Sequence, residues 1–225
     1  MDISQRLFAL QDEKYRDFSS KLIPNISTDT MIGVRLPDIR KLANELVKSG
    51  EYREFLDELP HKYFEEYHLH SFIVSSIKDI DTCINEIDKL LPHIDNWSVC
   101  DSLRPKCFAK NTEKAYLYIK KCMSVNSTYT KRFAIEMLMT HFLGEHFSSE
   151  HLDIVASVEG EDYYLKMMVA WYFATALAKQ YDATIPYIQN YTIQDKWTHN
   201  KAIQKAFESY RVSEDKKQLL KTLKR

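Results

Sequence analysis

Strongly apolar segments begin near residues 63, 97, 128, 162 and 196, about 31–34 residues apart, and a weaker segment of helical spacing precedes nearly every one. A period of that length with no recurring strand signal is the mark of a helical-pair solenoid. The composition agrees, since four glycines and six prolines in 225 residues are too few for a turn-rich β protein. Apolar spacing predicts thick helices over 63–78, 97–109, 128–143, 162–179 and 196–211. Helices are also predicted over 3–22 and 37–48, and weaker or shorter ones over 51–58, 80–91, 112–123, 149–157, 182–190 and 214–223. Pro37 and Gly50 sit where a helix prefers to start and stop. The tetratricopeptide W-x-x-L-G-x-x-Y pattern and the ankyrin T-P-L-H pattern are both missing, which leaves HEAT-like stacking.

Segments 130–143 and 163–179 are apolar nearly all round, as befits inner helices clamped between neighbours. No Pro/Gly/Ser-rich linker divides the chain, so residues 1–225 read as one all-α domain, and the basic end KKQLLKTLKR reads as a closing helix. Neither a charged leader with an apolar stretch nor an uncharged apolar run of eighteen residues occurs, so a cytoplasmic protein is expected. Cys83, Cys100, Cys107 and Cys122 form no CxxC pair and are read as small buried hydrophobes. Metal is not expected: His68 and His70 are two apart and point to different sides of a helix, while His141, His146 and His151 are read as solvated around a loop.

Unusual residues on the thick helices carry the functional reading. In IDNWSVCDSLRPK, Asp95 or Asn96 can cap a helix on which Trp97 and Asp101 lie four apart on one face. Pro105 interrupts that helix within two turns. Arg132 stands in the apolar KRFAIEMLM and Trp171 in MMVAWYFAT, on the next thick helices. A buried Arg must pair with an acid or turn to a groove to meet phosphate. Stacking would bring Trp97, Asp101, Arg132 and Trp171 onto one concave surface.

With these residues the chain resembles the HEAT-like repeat DNA glycosylases of the AlkC/AlkD type over nearly its whole length. The carriers are IGVRLPDIRKLA (32–43), NWSVCD (96–101), the Arg132 and Trp171 helices, and NKAIQKAFESYRV (200–212). The resemblance implies a curved α-solenoid whose concave face binds double-stranded or branched DNA and excises purines alkylated at N3 or N7. It also implies that the base need not be swung into a pocket. Asp101, Trp97 and Trp171 would be the catalytic set, Asp101 stabilising a sugar cation that the two indoles pack against. Arg132 would grip phosphate, together with Lys106, Lys131, Lys166, Lys201 and Lys205. No cofactor, metal, membrane or second subunit is implied.

The net charge of −1 requires the DNA-facing charge to be local, and the thick helices carry a modest cation excess. The resemblance also implies two N-terminal helices before the glycine segment, the second pressing the DNA around the lesion. With one helix over 3–22 and a loop over 23–31, that element is expected to be missing. The second reading is accordingly a non-catalytic DNA-binding member of the same family, and the third a protein–protein adaptor.

Overall fold

The computed structural model describes residues 2–225, which form fourteen α-helices, three short 3-10 turns and no strand. None of these helices is long and apolar enough to cross a membrane. Among the described residues no group of three His, Cys, Asp or Glu could hold a metal ion. The chain packs as two compact units, the first ending at Asn111 and the second running from Thr112 to Arg225.

The first unit holds α1 (Ile3–Phe8), α2 (Glu13–Ser20), α3 (Leu36–Ser49), α4 (Arg53–Asp57), α5 (Phe64–Ser76), α6 (Ile80–Leu90) and α7 (Trp97–Cys100). Its centre is α5, which packs against α3, α6 and α7 and buries Leu69, Ile73 and Val74 completely. Pro37 opens α3, and Gly50 closes it in the left-handed conformation that an L side chain resists.

Residues 3–22, expected as one helix, form two. The chain breaks at residues 9–12 because Asp12 finds better partners than a continuing helix would give it. Its carboxylate accepts from the Tyr15 N–H at 3.0 Å and caps α2, and its own N–H donates to the Gly33 carbonyl at 2.8 Å. The 97–109 helix is likewise cut short. After the single turn of α7, residues 101–105 form a loop, because a residue before proline is pushed out of helical geometry, and a 3-10 turn follows over Lys106–Lys110. The Arg104 N–H, donated to Ser75 Oγ at 2.8 Å, holds that loop against α5.

In the second unit α8 (Thr112–Ser124) packs on α9 (Thr128–His141), and α10 (Ser149–Ala156) and α12 (Tyr181–Gln189) flank α11 (Tyr163–Lys179). Beyond them lie α13 (Lys196–Glu208) and the closing α14 (Glu214–Thr222). Sandwiched by α9 and α13, α11 buries Met168, Ala170, Tyr172, Phe173 and Ala176 fully. Each large side chain among them contributes roughly 1.5–3 kcal/mol by leaving water. The thick helices thus start where the apolar spacing places them. All four cysteines are buried thiols. His151 is a correction: it is 4% exposed, its Nδ1 accepting from the Ser148 N–H at 3.2 Å, and His141 is half-buried, leaving His146 as the exposed member of that group.

His68 and His70 point to different sides of α5, as their spacing requires, and both are fully buried. Burial holds each imidazole neutral, with its pKa pushed down to about 3. An unfolded chain takes up a proton at each below its ordinary value of 6.5. Their contribution to stability is therefore complete above pH 6.5 and is lost as the pH falls towards the folded values. Denaturant titrations at pH 7, 6 and 5 should show stability dropping by at most about 1.4 kcal/mol per pH unit for each histidine. An unchanged midpoint from pH 7 to pH 5 would show that these rings are not held neutral.

Candidate nucleic-acid interface

Asn96 caps α7 by accepting from the Val99 N–H at 2.9 Å, which makes Trp97 the first helical residue and Asp101 the residue that ends the turn. Both are half-buried, and both line a cavity of about 600 Å³ in the first unit. The Trp97 indole N–H reaches the Leu22 carbonyl at 3.4 Å. Exposed Arg40, Arg104 and Lys106 line the same cavity and make it cationic. Arg40 lies with its guanidinium 4.7 Å from the centre of the Phe72 ring. Among the described residues the cavity has two carboxylates, Asp101 and Glu65. Glu65 is 3% exposed and engaged, accepting from the N–H groups of Ile32 (2.8 Å), Gly33 (2.7 Å) and Val34 (3.3 Å). Burial raises its pKa despite those three bonds.

The anchored 32–34 segment in turn seats α2. Gly33 lies at φ +94°, and a Cβ there would stand 2.6 Å from the Asp12 carbonyl oxygen, so the close approach of α2 depends on glycine. Arg35 adds an ion pair to Asp12 at 2.8 Å and covers the Tyr15 ring at 4.7 Å. Tyr15 and Ser19 of α2 consequently form part of the cavity wall beside Trp97 and Asp101. Two helices, α1 and α2, thus precede the glycine segment where one was expected. Residues 23–31 follow α2 as a loop broken by a 3-10 turn over Thr28–Thr30, and the Asn25 amide ties it down on the Asp95 carbonyl at 2.8 Å.

Arg132 and Trp171 lie in the second unit. Arg132 is 4% exposed and donates from Nη1 to the Tyr164 carbonyl at 2.6 Å, so it braces the start of α11. Trp171 stands seven residues after Tyr164 and hence on the same side of α11. With Lys205 and Arg211 it lines a shallow cavity of about 240 Å³. Trp197, Lys201 and Lys205 succeed one another at four-residue steps on α13, and the Lys201 ammonium lies 5.4 Å from the Trp197 ring centre. Lys166 does not share this side. It is five residues from Trp171, roughly 140° round the helix, and lines another cavity, held between Glu161 at 2.7 Å and Asp195 at 3.4 Å. Its pKa is raised chiefly by the Glu161 bond. Lys131 is half-buried and about 100° round α9 from Arg132.

An aromatic chain that sequence reasoning missed runs across the starts of three thick helices. Tyr129 of α9 meets Tyr164 at 6.3 Å between ring centres, Tyr164 meets Tyr163 at 5.3 Å, and Tyr163 meets Trp197 at 5.5 Å. Tyr163 is 55% and Trp197 38% exposed. The available signal was an aromatic within two residues of the start of each of these three helices.

The chain matches the family model described as DNA alkylation repair enzyme over residues 3–158, more than half its length. It belongs to that family. A comparison with curated proteins gave no match. The part shared with other DNA alkylation repair family members takes in α1 to α10, and with them the cavity that holds Trp97 and Asp101, as well as Arg132. Trp171 and the lysines of α13 lie beyond the matched residues.

Proposed function

We propose that this DNA alkylation repair protein binds duplex or branched DNA and hydrolyses the N-glycosidic bond of purines carrying a positive charge from alkylation at N3 or N7. The observation that carries this reading is the pairing of Trp97 and Asp101, one turn apart, in a cavity whose exposed charges are otherwise cationic. Arginine and lysine meet phosphate, while an aromatic face and a carboxylate favour a developing sugar cation. As the C1′–N bond breaks, its electron pair leaves on the base and neutralises it. Water then adds to C1′ and releases a proton to solvent. Ordinary glycoside hydrolysis needs a second carboxyl group to protonate the leaving group. Glu65, buried and bonded to three backbone N–H groups, is not free to act so, which restricts substrates to bases that leave uncharged without protonation.

Phosphate contacts are assigned to Lys106 in the first unit and to Lys201 and Lys205 in the second, where Trp171 and the aromatic chain offer stacking surfaces. Affinity for duplex DNA should fall linearly with salt on logarithmic axes. Lys106→Ala, Lys201→Ala and Lys205→Ala should each reduce that slope by about one. Lys166→Ala, whose ammonium is already held by two carboxylates, should leave it unchanged. No binding at low salt, or an affinity indifferent to salt, would return the protein to the adaptor reading.

A further inference from the structure

His68 lies on α5 between the rings of Phe64, one turn before it at 4.6 Å, and Phe72, one turn after it at 6.2 Å. In this apolar setting its ring nitrogens meet two hydroxyls of the segment that carries the candidate site. Nδ1 is 2.9 Å from Ser102 Oγ and Nε2 is 3.2 Å from Ser98 Oγ. The Ser102 hydroxyl donates to the Ser98 carbonyl at 2.9 Å, so towards the imidazole it can only accept. The ring is therefore the neutral Nδ1–H tautomer, its Nε2 accepting from the Ser98 hydroxyl. Ser98 directly follows Trp97, and Ser102 directly follows Asp101.

A one-turn helix cannot hold its own orientation, because the first turn fixes several dihedrals for a single hydrogen bond. Leucine would fill the His68 site without needing partners. A ring that grips Ser98 within α7 and Ser102 just past its C-cap through directional bonds instead fixes how the turn is rotated, and with it where the indole and the carboxylate stand. We propose that His68 is a positioning residue, which sets Trp97 and Asp101 for reaction by bonding Ser98 and Ser102. This rests on the glycosylase reading above.

The test has three arms. With ring-15N histidine, the signal lost in His68→Gln should report the Nδ1–H tautomer without titration between pH 5 and 8; an Nε2–H tautomer or a midpoint near 6.5 overturns the proposal. On methylated duplex, His68→Leu and Ser102→Ala should slow single-turnover base release by roughly tenfold or more, because small misplacements of reacting groups are costly. Both should keep affinity for unmodified duplex within about twofold, and His68→Asn, which can still present an amide N–H to Ser102, should recover part of the rate. An unchanged rate in His68→Leu, or rate and affinity falling together, contradicts positioning.

If the wild type releases no base, the glycosylase reading fails and the first and third arms decide the positioning claim. The Trp97 indole N–H resonance, identified by Trp97→Phe, should then move in Ser102→Ala while those of Trp171 and Trp197 stay. A stationary Trp97 signal sinks it.

Discussion

Asp101→Asn should lower the release of N7-methylguanine from duplex DNA by about 100-fold or more while binding unmodified duplex as tightly as the wild type. The substitution keeps the size and shape of the side chain and removes its charge. It leaves the backbone bond from the Asp101 N–H to the Trp97 carbonyl, at 2.9 Å, untouched. What would be lost is the negative charge that the proposed reaction places beside a positive sugar. Removing one preorganised stabilising group of this kind costs roughly 10²–10³ in rate. Among the described residues the cavity's other carboxylate is Glu65, which is held by the backbone of residues 32–34. Equal release by the variant and the wild type would show that Asp101 has no electrostatic part in the reaction.

Gly33→Ala should unseat α2 and destabilise the protein by several kcal/mol, on the order of 3–5. Two penalties act together. The residue sits at φ +94°, and the added Cβ would meet the Asp12 carbonyl oxygen at 2.6 Å and Arg16 Cβ at 2.7 Å. The nearer obstacle is backbone, which cannot swing aside as the end of a flexible side chain could. The helix must move away, and Tyr15 and Ser19 then leave the cavity wall. A lower unfolding midpoint should therefore come with faster amide exchange across Glu13–Ser20 and with loss of base release. A fully stable variant with α2 still protected would show that the close approach at Gly33 is not what seats the helix.

Much of the fold was legible because its signals are local. The starts of the thick helices follow from apolar spacing, and the burial of α11 follows from side chains that are apolar all round. Trp97 and Asp101 were legible together because four residues make one turn. The break at Asp12 was not, since its cause is a hydrogen bond to Gly33, twenty-one positions away, and a pattern read along the chain registers only that residues 3–22 carry helical spacing. With the break in place, a second helix precedes Gly33 and its Tyr15 and Ser19 stand in the cavity wall. Lys166 was assigned by its helix and not by its angle on it, and five residues turn a side chain away from Trp171 towards Glu161 and Asp195. The contacts of His68 with Ser98 and Ser102, thirty and thirty-four positions on, left no trace along the chain.

Excision of cationic purines is the activity proposed for this member of the DNA alkylation repair family. The most direct measurement is release of free base from two duplexes, one bearing N7-methylguanine and the other a neutral lesion such as uracil, each beside a protein-free control. Release of N7-methylguanine well above spontaneous depurination, with the neutral base left in place, is the predicted result. Methylguanine release no faster than the control, or equal release of the neutral base, would contradict it.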